Sequence, residues 1–178
     1  MADPSDHLET VGDLAARLHA LGLTPILVGG MALVVLGSRR VTRDFDFLMS
    51  APGDHLAEVV RLLYERHLAL VSRLTSEGDV AATISNRRVA LSRLQIDRPA
   101  NAAFYDTRTG LRVDLLFDFP IPAAPVSRRA VRVRIGRHVL HVASEEDLLE
   151  LKKNAAANRQ AAGDAEDIAF LEQRRRRS

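Results

Sequence analysis

The 178-residue sequence contains no cysteine and no tryptophan. Without cysteine the protein has no disulfide, no thiolate metal site and no cysteine nucleophile, so its chemistry relies on oxygen and nitrogen groups. The absence of cysteine also fits a reducing compartment, and we expect a cytoplasmic protein. Lysine is nearly absent too, because Lys152 and Lys153 are the two lysines and the other 23 basic residues are arginines.

Long apolar runs are also missing. The longest ones, residues 25–36 and 113–119, fall short of the roughly 20 residues that a helix needs to cross a bilayer. The N-terminus carries Asp3, Asp6 and Glu9 and has no cationic stretch that leads into an apolar one. We therefore expect neither a membrane segment nor a secretion signal.

What the chain does have is the composition of a folded globular protein, with 47% hydrophobic residues and a formal charge of +2. This length supports one core with a cleft and is too short for two large domains. We expect a single domain over residues 1–178, with a core at about 22–142 and a C-terminal helical part at about 144–178.

Hydrophobic spacing predicts alternating helices and strands. A capping box that starts at Ser144 predicts the start of one helix, and the prolines of Pro120–Pro125 predict an extended connector. The predicted helices cover residues 8–21, 31–36, 56–70, 145–158 and 164–173. The predicted strands cover residues 25–28, 44–49, 101–106, 111–117, 131–135 and 138–142, the last four as two hairpins.

The segment Val28-Gly29-Gly30 leaves a predicted strand and enters a predicted helix. Glycines at such a turn let backbone N–H groups approach a phosphate, and the start of a helix favours negative charge. A tight connection with no ligand is the commoner explanation of this pattern. Both interpretations stay open on these residues alone.

Two carboxylates share one face of the strand Asp44-Phe45-Asp46-Phe47, because side chains alternate along a strand. Such a pair is either a solvated polar face or a site for a hard cation such as Mg²⁺. A third carboxylate, Asp114, interrupts an apolar strand further on. If that strand lies beside the first, three acids converge in a way that suits phosphoryl transfer.

Together, Val28-Gly29-Gly30, Asp44-Phe45-Asp46-Phe47 and Val113-Asp114-Leu115 resemble the signature of the polymerase-β-type nucleotidyltransferase superfamily. The run from Arg40 to Phe47 is similar to the Arg-x-Thr-x-Asp-hydrophobic-Asp pattern of the AbiEii-type nucleotidyltransferases, which are known mainly from toxin–antitoxin and phage-defence modules. The segments 147–152 and 164–168, with Arg159 between them, also resemble that family's C-terminal helices. The resemblance spans about residues 26–171.

This resemblance implies an α+β fold, a mixed sheet flanked by helices, and transfer of NMP from an NTP to a hydroxyl with release of pyrophosphate. By the same analogy Gly29 and Gly30 support the NTP phosphates. The family's three acids correspond to Asp44, Asp46 and Asp114, which would hold Mg²⁺, and the last of them would activate the acceptor hydroxyl. Arg40 is either a structural partner of the site or a phosphate contact.

Lys152 lies on one face of the predicted C-terminal helix with Leu148, Ala155 and Arg159. A solvated cationic face would explain a lone lysine. Because the family packs this helix beside the cleft, we expect Lys152 to contact the triphosphate. We assign no catalysis to Asp164 and Asp167, which would pair with Arg159 or cap the last helix.

Two basic segments, residues 127–142 and 174–177, are either a solvated strand face and a frayed tail or a surface that binds an RNA acceptor, and family analogy favours tRNA. Alternatives are a protein hydroxyl, an aminoglycoside hydroxyl, or a catalytically silent module that binds nucleotide or a partner. A cognate antitoxin protein is a further expected partner. The six histidines form no metal motif, since His138 and His141 are three apart in a predicted strand and so point to opposite faces.

Overall fold

The computed structural model of the chain describes residues 4–158 and 163–177. Its strands are β1 (Ile26–Val28), β2 (Asp44–Met49), β3 (Ala69–Leu74), β4 (Val80–Ile84), β5 (Asn101–Tyr105), β6 (Arg112–Phe117), β7 (Val131–Ile135) and β8 (His138–Val142). Its α-helices are α1 (Pro4–Ala20), α2 (Gly29–Val35), α3 (Leu56–Glu65), α4 (Arg87–Asp97), α5 (Ala123–Arg129), α6 (Glu145–Asn158) and α7 (Asp164–Arg177), and a 3₁₀ turn precedes α3 at Gly53–His55.

Within these described ranges, eight strands form one mixed sheet in the order β4-β3-β5-β6-β2-β1-β8-β7. The central strand β2 runs antiparallel to β1 and parallel to β6, and β1 runs parallel to β8. Helices cover the sheet, which confirms the predicted α+β class. Within the described residues, no helix is both long enough and apolar enough to cross a bilayer.

The core forms where the sequence periodicity places it. On α1, Val11, Leu14 and Leu18 recur at helical spacing and are fully buried. On β2, Phe45 and Phe47 are each 1% exposed and point away from the aspartates of the same strand. This burial anchors β2 firmly, so the opposite face of the strand is held in a defined orientation.

The helix predicted over residues 56–70 is too long, because α3 ends at Glu65. His67 adopts a positive φ of 60°, and the chain then turns into β3. Leu70 lies on β3 and is 5% exposed, so it is a buried strand residue rather than part of a helix face. The hydroxyl of Tyr64 stabilises this turn, since it accepts the N–H of Leu70 at 3.1 Å and donates to the carbonyl of Ile84 at 2.5 Å.

Two boundaries near prolines and arginines also differ from the predictions. The connector predicted over Pro120–Pro125 is extended at its start, but α5 begins at Ala123. Pro125 is tolerated there because the N–H groups of a helix's first turn have no partner within the helix. The last helix continues to Arg177 rather than ending at residue 173.

Candidate active site

The sheet places the three aspartates on two neighbouring strands. Strand β6 lies beside β2 in parallel register, which places Asp46 opposite Asp114 and Asp44 opposite Arg112. Strand β1 lies on the other side of β2, with Val28 opposite Asp46. The neighbouring strands on which the convergence of the acids depends are therefore present.

The turn after β1 brings the backbone against the carboxylate of Asp46. Gly29 has a positive φ of 68°, and a β-carbon placed on it would overlap the Oδ2 atom of Asp46. A β-carbon at Gly30 would lie 2.9 Å from Nε of Arg40. Close approach and positive φ therefore require glycine at position 29, where the neighbour is a proposed metal ligand, whereas the flexible side chain of Arg40 can move away from Gly30.

We expect Gly29→Ala to push Asp46 out of position and to weaken Mg²⁺-dependent nucleotide binding by about tenfold or more. Gly37→Ala is the matched control, since Gly37 also has a positive φ, 99°, but a β-carbon placed there would have nothing within 4 Å. That variant should lose about 1–2 kcal/mol of stability from the backbone alone and bind nucleotide normally. Nucleotide titration and thermal melting of both variants check this, and equal binding losses would contradict it.

A cleft of about 390 Å³ opens over this face of the sheet. Four of the predicted site residues line it together: Gly29, Asp46, Asp114 and Lys152. Apolar side chains such as Leu33, Leu116 and Leu148, together with the amides of Asn101, Asn154 and Asn158, complete the wall. Gly30, Arg40 and Asp44 are not part of this lining.

The electrostatics of the cleft centre on Asp46. Burial raises the pKa of its carboxyl to about 7, and the nearby charges of Asp114 and Asp44 contribute to this rise, while Arg112 and Lys152 oppose it. Burial also raises the pKa of Asp44, against the opposing effect of Arg112. Crowded carboxylates with raised pKa values are typical of a site that gains a cation when it works.

Arg112 is a member of the site that our sequence analysis did not include. Its guanidinium donates to both carboxylate oxygens of Asp114, at 2.9 and 3.0 Å, which raises the pKa of Arg112. The signal was available, because residues 112 and 114 are two apart on one strand and so share a face. Arg112 partly offsets the repulsion among the acids.

The residues present suit Mg²⁺ by their chemistry, because carboxylate oxygens are the ligands that this hard cation prefers. Within the described residues, however, no group of three or more acids and histidines has converged in a way that could hold a metal ion. Asp114 is turned to Arg112 instead. A cation held by all three aspartates would therefore have to compete with Arg112 for Asp114.

Lys152 lies in a buried ion-pair cluster at the edge of the cleft. Its Nζ atom lies 3.3 Å from Oδ1 of Asp164 and 2.7 Å from Oδ2 of Asp167. The exposed fractions of these residues are only 9% for the lysine and 5% and 4% for the two aspartates. The two α7 carboxylates, which the sequence analysis assigned to Arg159 or to capping, thus hold the lysine of α6.

Arg40 joins the same cluster from the loop before β2, because its Nη1 forms an ion pair with Oδ2 of Asp167. It lines a separate depression with Gly163 and Asp167. This contact supports the structural alternative for Arg40, and its contact to phosphate stays a prediction. Arg159 lies outside the described residues.

No protein-family model matches the chain, and no curated protein matches it. Solved structures do match its fold. An antigenic nucleotidyltransferase-like protein from Paracoccidioides brasiliensis has a TM-score of 0.60 and 20% identity over 94% of this chain and 76% of its own. The lincomycin-bound lincosamide antibiotic adenylyltransferase LnuA has a TM-score of 0.57 and 13% identity over 92% of this chain and 95% of its own.

The antibiotic-resistance factor ANT(2'')-Ia has a TM-score of 0.60 and 11% identity over 95% of this chain and 84% of its own. At these identities the likeness concerns the fold. The chain has the fold of polymerase-β-type nucleotidyltransferases, as the sequence motifs predicted, whereas none of these neighbours points to the AbiEii-type family.

Proposed function

We propose that the protein is a Mg²⁺-dependent nucleotidyltransferase, which transfers NMP from an NTP to a hydroxyl and releases pyrophosphate. The observation that supports this most directly is the in-register pairing of Asp46 and Asp114 beside the bare backbone of Gly29, in a cleft that Lys152 also lines. A polar strand face with no function would not require a glycine against one of its carboxylates.

In this proposal Asp44, Asp46 and Asp114 hold Mg²⁺, which supplies charge neutralisation for the triphosphate. The turn at Gly29 and Gly30 supports the phosphates, and Lys152 contacts them. Arg40 is the structural partner that orders the cluster around Asp167. Asp114 accepts the proton of the acceptor hydroxyl as that oxygen bonds to the α-phosphorus, and the bond from this phosphorus to the leaving pyrophosphate breaks.

We propose RNA, and tRNA by family analogy, as the acceptor, with the protein acting in the cytoplasm as the toxin of a toxin–antitoxin or phage-defence module and binding a cognate antitoxin. Support comes from arginines outside the cleft. Arg128, Arg132 and Arg134 make no ion pair within the described part of the chain, whereas Arg129 and Arg137 pair with Asp147 and Glu9.

The C-terminal arginines contribute less to the proposed RNA binding than their number suggests. Arg174 donates to the carbonyl of Leu36 and to Glu145, both at 2.7 Å, so it holds α7 against the rest of the fold. Arg175, Arg176 and Arg177 continue the helix and are exposed, so they add positive charge that the fold does not bury.

A hydroxyl of a small antibiotic is the second candidate acceptor. The observation that favours it is the likeness in fold to a lincosamide adenylyltransferase and to an antibiotic-resistance factor. A protein hydroxyl is a third acceptor class, and a silent nucleotide-binding module is the non-enzymatic alternative, which the presence of all three aspartates disfavours.

One assay separates these alternatives. The purified chain is incubated with Mg²⁺ and each of the four α-labelled NTPs, together with total RNA, a protein extract, or a panel of aminoglycosides and lincosamides. Label on RNA supports the proposal, and label on protein or antibiotic alone moves the activity to that acceptor. No transfer to any acceptor, with NTP still bound, would make the chain a binding module.

We expect the double variant Arg132→Glu, Arg134→Glu to lose RNA labelling while it still binds NTP and Mg²⁺, because RNA affinity depends on neutralised phosphates. Wild-type labelling should fall as salt rises from low to physiological ionic strength. The matched control is Arg87→Glu, Arg88→Glu, which makes the same change of charge on exposed residues of α4. Equal labelling by both folded variants would end this assignment of the RNA surface.

A further inference from the structure

A second cavity, of about 470 Å³, lies between α1 and the β7–β8 hairpin. Its polar lining is cationic or can become so, since His19, His138 and His141 line it together with Arg132 and Arg137. None of the residues lining it also lines the cleft that contains Asp46 and Asp114. The sequence placed His138 and His141 on opposite faces of a strand, yet both border this cavity.

Two of these five side chains have an anionic partner. Glu9 on α1 pairs with Arg137, and its Oε2 atom lies 3.0 Å from Nε2 of His138. The helix packs very closely here, because a side chain at Gly12 would overlap the imidazole of His138. Asp13 of the same helix pairs with Arg66 and Arg17. The acids that α1 brings to this region are thus already engaged.

The other three, Arg132, His19 and His141, form no ion pair within the described part of the chain. The rings of His19 and His141 stack with their centroids 5.5 Å apart and their planes 24° apart. Arg132 lies directly opposite His141 in the β7–β8 pair. Partial burial, His19 and Arg132 all lower the pKa of His141, and no acid opposes them.

Protonation of a ring in this arrangement is unfavourable unless a negative charge is present. A ring that gains a proton is repelled by the guanidinium of Arg132, and two protonated rings also repel each other. Glu9 supplies a negative charge to Arg137 and His138. An anion with several acceptor oxygens would receive N–H donors from all three side chains at once.

We propose that this cavity binds a phosphate group, with the Arg132 guanidinium as its fixed charge and the rings of His19 and His141 as hydrogen-bond donors. A bound phosphodiester keeps its single negative charge over this range and favours the protonated rings, so its affinity increases as pH falls from about 7.5 to about 6. The phosphate comes either from a free anion or from a backbone phosphodiester of a nucleic acid, and both present the same oxygens.

The test uses the histidine ring signals of the full-length protein in ¹H–¹³C NMR spectra at about pH 6, where histidine titrates, assigned with His19→Gln and His141→Gln. Inorganic phosphate is titrated first and a dinucleoside monophosphate second. These signals report on the cavity itself, so phosphate bound in the cleft does not move them. We expect saturable shifts of both rings and an increase in their apparent pKa values.

Arg132→Gln should weaken this binding by about tenfold or more, as expected when a charge-assisted hydrogen bond is removed. Arg73→Gln, an exposed arginine on β3 near the far edge of the sheet, is the control and should bind like the wild type. Both substituted residues are exposed strand residues, so both variants should fold, and thermal melting confirms this.

Shifts with inorganic phosphate support the site and assign it to a free anion. Shifts with the phosphodiester alone support it and assign it to nucleic acid. If neither ligand moves the two rings, or if folded Arg132→Gln binds as tightly as Arg73→Gln, the proposal is wrong. These results need no nucleotidyl transfer, so they stand apart from the outcome of the labelling assay.

Discussion

Replacing Asp46 with alanine or asparagine is expected to reduce nucleotidyl transfer by at least about 10³-fold and to abolish Mg²⁺-dependent NTP binding. Asp46 faces Asp114 across two parallel strands and lies against Gly29, so no other carboxylate can take its place. Asp54→Asn, on an exposed 3₁₀ turn, is the matched control and should keep full activity. Initial rates with saturating NTP and Mg²⁺ measure the difference.

The same substitution should increase the stability of the metal-free protein, although it reduces nucleotidyl transfer. Burial and like charges raise the pKa of Asp46 from 3.8 to about 7. A raised pKa means that the stability Asp46 contributes is complete below pH 3.8 and is lost as pH rises through about 7. At about pH 8 the wild type therefore carries an unfavourable charge that the Asp46→Asn variant lacks.

The full difference in pKa would correspond to about 4 kcal/mol, and solvent screening at this partly exposed group reduces the expected gain to about 1–2 kcal/mol. In a chain of this length that is an increase in Tm of about 2–8 °C at about pH 8, which disappears towards about pH 4. Mg²⁺ should stabilise the wild type and not the variant. A large loss of Tm with unchanged activity would mean that the aspartate pair is structural.

Replacing Lys152 with alanine is expected to have the largest effect on stability. The ammonium is shared by Asp164 and Asp167, both almost fully buried, and the Oδ2 atom of Asp164 has no hydrogen-bond partner among the described residues. Removing the lysine leaves two buried carboxylates with less compensation, which costs about 3–5 kcal/mol in comparable buried pairs. Denaturant unfolding measures this loss.

Lys153→Ala is a control from the neighbouring position. Its side chain is 57% exposed and lies 3.7 Å from Glu172, so its loss should cost no more than about 0.5 kcal/mol. Equal losses for the two variants would show that the cluster around Lys152 is not buried in solution. The double variant Lys152→Ala, Asp164→Asn should recover part of the stability that Lys152→Ala alone loses, because it removes one of the unpaired charges.

The kinetic consequence of the same change tests the proposed role of Lys152. If its ammonium holds the triphosphate in the ground state and the transition state alike, Lys152→Ala raises KM for NTP more than it lowers kcat. Lys152→Arg should restore binding only in part, since a planar guanidinium differs from a compact ammonium. Unchanged KM in the folded alanine variant would remove Lys152 from the nucleotide site.

Local patterns were enough to predict the parts of the molecule whose signals lie close together in the chain. The alternation in Asp44-Phe45-Asp46-Phe47 predicted both the buried face and the acidic face of β2, and the structure confirms its bounds at Asp44–Met49. The helical spacing on α1 and the Ser144 cap likewise correspond to real elements, since the hydroxyl of Ser144 accepts the N–H of Asp147 at 3.1 Å.

Elements with weak local signals were missed. The sequence analysis did not predict β3 and β4, whose residues other than Leu70 are half-buried or exposed. It also missed α4, whose apolar face is narrow. The same limit explains the overlong helix at residues 56–70. Leu70 fits a helix by its spacing, and only its pairing with Ile84 and Phe104 in the sheet places it on a strand.

The amino-acid sequence by itself determined which groups are available: three aspartates, two adjacent glycines and a lysine on a C-terminal helix. Tertiary structure alone decided which charges pair between elements, as in the ion pairs of Arg40 with Asp167 and of Lys152 with Asp164. It also assembled His19, His141 and Arg132 around one cavity. Charges attract and repel through space, so their pairing depends on the packing of helices and strands, which spacing along the sequence does not encode.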